Sequence, residues 1–186
     1  MALLNTILII SGVLIVAIIV LYNKFINLRN AVKNSWAGID VQLKRRADLI
    51  PNLVDVVKGY ATHEKMLLIN ITKMRSQMLS GLNSRNLSKT GSADGALTGL
   101  LKKLIMVAEN YPNLKANKSF IDLQKQLRDT EDQIAASRRI YNENVTYYNT
   151  ALQVFPNNIF ANLFGFKKES VFESNVEDRK NINIKL

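Results

Sequence analysis

The chain has 186 residues, room for one domain and an anchor rather than two full domains. It holds no cysteine, which excludes disulfides, thiolate nucleophiles and cysteine-ligated metal sites. Its formal net charge of +10 points to an anionic partner, either nucleic acid or a lipid surface. That charge is unevenly placed. Residues 1–23 carry no charged side chain, residues 24–93 hold 12 basic against 4 acidic ones, and residues 94–186 hold 13 against 11.

Leu3 to Leu21 is a 19-residue run interrupted only by Asn5, Thr6, Ser11 and Gly12. At ~1.5 Å per residue a helix of this length covers the ~30 Å hydrocarbon core of a bilayer. A helix also satisfies its own backbone polar groups in lipid. Tyr22 sits where an interfacial aromatic is expected, with Lys24 just outside. A cleaved signal peptide would want a basic start, a shorter apolar core and a small-x-small cleavage site, and none is evident. The expectation is a transmembrane anchor over 1–23. Lys24, Arg29 and Lys33 all follow the apolar run, and no basic residue precedes it. The positive-inside rule therefore expects the N-terminus outside and the larger C-terminal part in the cytoplasm, with these three side chains near anionic headgroups.

Beyond the anchor, Trp36, Ile39, Leu43, Ala47, Ile50, Val54, Val57 and Ala61 follow at three- and four-residue steps. Leu68, Ile71, Met74 and Met78 keep the same phase. The pattern predicts one helix from about Asn27 to Ser80, kinked at Pro51 because proline lacks the N–H and crowds the preceding turn. Gly81 to Gly95 has no apolar period and is rich in Gly, Ser and Asn, which predicts a mobile loop. Ala96 to Asn110 returns to helix. A third helix starts at a Ser119/Asp122 capping box and carries Phe120, Leu123, Leu127, Ile134, Tyr141, Val145, Tyr148, Leu152 and Phe155, up to Pro156. Asn157 to Phe164 predicts a short helix closed by Gly165, and 174–186 a polar flexible tail. Helices with apolar stripes must bury them against one another, so the expected fold is all-α: an N-terminal transmembrane helix, then an elongated up-and-down long-helix bundle of the four-helix type over 24–173. An oligomeric coiled coil would present the same stripes.

Several of these segments resemble the LemA family. They are Leu28-Arg29-Asn30, Trp36, the run Ile39 to Val54 (IDVQLKRRADLIPNLV), Val57-Lys58-Gly59-Tyr60, Ala108 to Pro112 and Leu114 to Asn117. Further along they are Thr130 to Ala135 with Arg138-Arg139 and Tyr141-Asn142, then Phe155-Pro156 and Gly165-Phe166. The match runs from about residue 22 to 173. It implies a membrane helix, a long-helix bundle and a bacterial inner or plasma membrane setting. The family supplies no catalytic residues and no established molecular role. Some relatives carry a lipoprotein-type cysteine after the apolar run, which this chain lacks.

Candidate chemistry is sparse. His63-Glu64 would need a second histidine four residues on to make a helical zinc motif, and Leu67 stands there, so no metal or other cofactor is expected. Asp40, Asp48, Glu131 and Asp132 could pair with Arg45, Arg46, Arg138 and Arg139 across facing helices, a structural charge network that sets register. No nucleophile, phosphate loop or histidine base accompanies them. The reading is a non-enzymatic scaffold or adaptor on an anionic lipid surface, binding a protein partner or itself, with neither nucleic acid nor a small-molecule substrate. The alternatives are an enzyme with a site among those charged residues, or a membrane-tethered nucleic-acid-binding protein.

Overall fold

The computed structural model describes residues 1–172, with every side chain except that of Thr62. The tail expected at 174–186 lies outside the described residues. Among the described residues six α-helices follow in order: α1 (Ala2–Lys58), α2 (Lys65–Asn83), α3 (Leu87–Ala108), α4 (Pro112–Lys115), α5 (Lys118–Gln153) and α6 (Asn157–Leu163). A 3-10 turn, Thr62–Glu64, lies between α1 and α2. The all-α expectation stands.

Packing divides the chain into two units. One is 39–138 with Phe172; the other is 1–38 with 139–171. The first is a four-helix bundle made by residues 39–58 of α1, by α2 and α3, and by the first part of α5. The residues that meet give its directions. Arg75 of α2 reaches Ala47 of α1, Lys102 of α3 lies near Glu131 of α5, and Asn117 before α5 bonds Tyr60 after α1. Neighbouring helices thus run antiparallel, as short connections require. The core is the expected stripe: Ile39, Leu43, Ala47, Ile50, Val54 and Val57 face Leu68, Ile71, Met78, Leu97, Leu104, Leu127 and Ile134, all buried within a single chain.

The structure corrects two expectations here. The helix read as continuous from Asn27 to Ser80 stops at Lys58, where the N–H groups of Tyr60 and Ala61 both donate to the Val57 carbonyl. A stripe that keeps its phase across a break looks the same in sequence whether the helix continues or folds back on itself. Here α2 folds back, and each half of the stripe buries the other. The loop read over 81–95 is only Ser84 to Asn86. Arg85 adopts φ 50° and the Asn86 N–H reaches back to the Gly81 carbonyl, closing α2 with a left-handed turn. The Asn86 side chain then accepts from the Lys89 N–H and caps α3. Small residues hid this helix. A Cβ on Gly81 would lie 2.6 Å from the Thr90 hydroxyl and 2.8 Å from its backbone nitrogen, so the two helices meet where no larger side chain fits.

Pro51 sits inside α1, and the helix runs through it unbroken. A proline at 51 deprives the carbonyl four residues earlier, that of Ala47, of its helical donor. Arg75 Nε donates to that carbonyl at 2.6 Å. The orphaned acceptor is satisfied from the next helix, which locks α2 against α1.

In the second unit α1 and α5 again run antiparallel, with Trp36 and Tyr141 ring centroids 5.9 Å apart. Phe25, Val32, Val145, Tyr148 and Leu152 are buried. The Asn117 side chain, rather than Ser119, caps α5 by accepting from the Phe120 N–H at 3.1 Å. Gly165, at φ 70°, closes α6 as expected: its N–H donates to Asn162 and that of Phe166 to Ala161, the two bonds of a Schellman cap. The chain then returns along α5. Asn149 brackets the backbone of Glu169 with two hydrogen bonds, and the Tyr141 hydroxyl donates to the Ser170 carbonyl at 3.0 Å. Phe155, expected on the buried stripe, is instead 80% exposed, because α5 ends at Gln153 and the chain turns at Pro156. The side chains of Leu3 to Val20 are bare apart from a half-buried Ile18.

Two predictions follow from this packing. Arg75→Met should lower stability by about 1–2 kcal/mol, but by less than half of that in a Pro51→Ala background, where residue 51 again supplies an N–H. A double-mutant cycle of thermal unfolding in detergent measures the coupling, and equal losses in both backgrounds would refute the pairing. The second concerns alkali. Burial pushes the Tyr141 phenol up to about 12, and the Glu169 carboxylate adds to the rise. The folded chain then holds a proton that the unfolded chain releases near pH ~10. This contribution is complete below pH ~10 and is lost as pH climbs toward 12. Tyr141→Phe should flatten the stability profile over that window; an unchanged slope would assign the alkaline loss elsewhere.

Candidate functional site

The densest charged cluster forms where α1, α3 and α5 meet in the four-helix unit. Asp94 on α3 is its centre. One carboxylate oxygen accepts from Arg46 of α1 at 2.9 Å, and the other from Arg138 of α5 at 2.6 Å. The Arg46 and Asp94 side chains each keep 2% of their surface exposed, and Arg138 keeps 25%. The Arg138 guanidinium also lies 4.3 Å over the Phe172 ring. Gly91 makes room for that ring, since a Cβ there would lie 3.1 Å from it. Glu131 of α5 stands at the rim, 4.0 Å from Arg46 and 3.8 Å from Lys102.

Of the charged residues singled out in the sequence, Arg46, Glu131 and Arg138 come together. Asp40 instead pairs with Lys44 on the same helix at 2.7 Å. Arg45, Asp48, Asp132 and Arg139 are exposed. Lys24, Arg29 and Lys33 are exposed along α1 after the apolar run. Sequence reasoning missed Asp94 and Lys102. Asp94 lay in the segment read as a loop, although a periodic signal was present. Thr90, Asp94, Leu97, Leu101, Leu104 and Ala108 form one stripe at three- and four-residue steps, and all six are buried. Its first two members are polar, so an apolar count begins at Leu97.

The cluster opens on a polar cavity of about 400 Å³, bounded by Gly95, Thr98, Gly99 and Ala135 as well as the charged side chains. Arg46 Nε is buried without a hydrogen-bond partner among the described residues. Asp94 is engaged by two arginines, so its oxygens are committed to holding helices together. Among the described residues no three His, Asp or Glu side chains gather as metal ligands. His63 is exposed in the 3-10 turn beyond α1. A larger open groove of about 880 Å³ runs between α1 and α2, over Val54, Ala61 and Leu68 with Lys58, Lys65 and Lys73 alongside.

A buried pair broken on one side leaves a charge without compensation. Asp94→Ala should therefore destabilise the bundle by about 3–5 kcal/mol. Glu131→Ala, at a half-exposed position with long ion-pair distances, should change stability by less than ~1 kcal/mol. Thermal unfolding in detergent compares the two. Equal effects would mean that Asp94 does not organise the cluster.

A family model described as the LemA family matches residues 35–186. Magnetosome protein MamQ of Magnetospirillum gryphiswaldense is 24% identical over 181 residues, which cover 85% of this chain and 66% of that protein. Magnetosome protein MamQ 1 of Paramagnetospirillum magneticum is 25% identical over 182 residues, covering 86% of this chain and 67% of that protein. Protein LemA of Metamycoplasma hominis is 25% identical over 163 residues, covering 87% and 73%. The chain thus spans about two thirds of the length of the magnetosome relatives. None of these names denotes an enzymatic activity. The family match spans α1 from Ser35 through the whole four-helix unit and beyond, and this chain belongs to the LemA family.

Proposed function

We propose that this LemA-family chain is a non-enzymatic scaffold or adaptor held at the bacterial cell membrane by the first part of α1. The observation that carries the reading is the continuity of α1. One helix, unbroken from Ala2 to Lys58, presents bare apolar side chains first and a packed bundle face later. It is the one helix among the described residues long and apolar enough to cross a membrane, and its apolar window is unburied. A soluble domain would hide such a helix. The arrangement of Lys24, Arg29 and Lys33 favours a cytoplasmic bundle, with their ammonium and guanidinium groups on anionic headgroups. Recognition of a protein partner or a second copy then falls to the outer faces of the helices, since the charges at the centre are spent on one another.

Sidedness is the decisive measurement, because it determines which partners the bundle can meet. The chain has no cysteine, and Ser92 is exposed on α3, so Ser92→Cys supplies a single thiol on the bundle surface. A membrane-impermeant maleimide should label it only after lysis. Labelling in intact cells would place the bundle outside and overturn the cytoplasmic assignment. Recovery of the unmodified chain in the supernatant of an alkaline carbonate wash would overturn the anchor itself.

A further inference from the structure

The end of the second unit exposes an apolar tip that the anchor does not account for. Phe155 is 80% exposed and Leu163 74%, and Ile159 stands one turn from Leu163 on the same face of α6. Val154 is exposed beside them. Patches of this kind on a folded domain mark a surface that something covers. The tip does not need these side chains to hold its shape. Asn157 Nδ2 donates to the Ala151 carbonyl, Ala161 is buried, and the Gly165 turn closes α6 through backbone bonds.

Its position says what covers it. The Tyr22 ring lies 5.2 Å from Phe164 and 5.9 Å from Phe166, both edge-on, and Phe25 meets Phe166 at 5.2 Å. The tip is thus fastened to α1 at the residue that ends the bare apolar run. The pairing of the two helices agrees. Trp36 opposes Tyr141, and twelve residues along each antiparallel helix brings Lys24 level with Gln153, the last residue of α5, just before the tip. Lys24, Lys167 and Lys168 are all exposed nearby in the chain. Apolar and aromatic side chains with flanking lysines make up the pattern of elements that lie in the headgroup region rather than crossing it.

We infer that this tip, Val154 to Phe164, is a second membrane contact: it dips into the interfacial layer of the same bilayer that α1 crosses. The inference rests on the anchor reading above. A single crossing helix leaves a domain free to tilt and spin about its axis. A second insertion beside it fixes the face that this unit turns to the lipid.

The test uses the full chain in vesicles of phosphatidylcholine with a minority of phosphatidylglycerol. An environment-sensitive fluorophore is attached in turn to Ile10→Cys, Leu163→Cys and Ser92→Cys. Lipids carrying a nitroxide either near the headgroup or near the chain end then quench it. The probe at Ile10 should be quenched best by the deep nitroxide, that at Leu163 best by the shallow one, and that at Ser92 by neither. Quenching at Ile10 with none at Leu163 overturns the tip and leaves the anchor standing. A Leu163 probe that is dry yet unquenched also overturns it, and means that a protein surface covers the tip. No quenching at Ile10 removes the anchor reading and this inference with it.

Discussion

A carboxylate taken out of water needs charge and hydrogen bonds in return, and Asp94 obtains both from two different helices. Arg46 reaches it from α1 and Arg138 from α5, while α3 carries the acid itself. Leucine and isoleucine stripes can slide by a turn and still bury apolar surface. Two arginine–carboxylate bonds to one side chain cannot slide, because a slipped helix would leave a buried charge alone. The register of three of the four bundle helices therefore follows from one residue. Arg75 does the same for α2, through the carbonyl that Pro51 leaves without a donor.

This bears on the function a LemA-type bundle can serve. Both oxygens of its buried carboxylate are taken up by arginines of its own helices, which supports the reading that recognition falls to its outer helix faces. In the other unit α1 begins as a bare helix, and beside Tyr22 the Phe155–Leu163 tip adds aromatic and aliphatic surface where that helix leaves its apolar run. The magnetosome and LemA relatives show that chains similar to this one occur in different bacteria, with up to about a third of their own length outside the match. What those extra residues add belongs to those proteins.

Much of this fold is legible in the sequence. The apolar run at 3–21, the all-α class, the heptad-like stripes of α1, α2 and α5 and the glycine closure after α6 all follow from local rules of spacing and turn chemistry. Where reading failed, it failed for a common reason. The fold-back at Gly59–Ala61, the helical nature of 87–95 and the exposure of Phe155 each depend on what a segment packs against. Thr90 and Asp94 are core positions only because Gly81, Arg46 and Arg138 lie across from them.

Periodicity, charge placement and the absence of cysteine by themselves determined that this chain is helical, that its first helix is apolar enough for lipid and that no thiol chemistry occurs in it. These are properties of a residue and its near neighbours, and they persist in any packing. The tertiary structure alone decided which carboxylate holds the bundle, which arginines it binds and which apolar side chains stay outside. Those outcomes depend on residues dozens of positions apart meeting at hydrogen-bond distance, and no local pattern encodes which of several equally charged candidates will arrive.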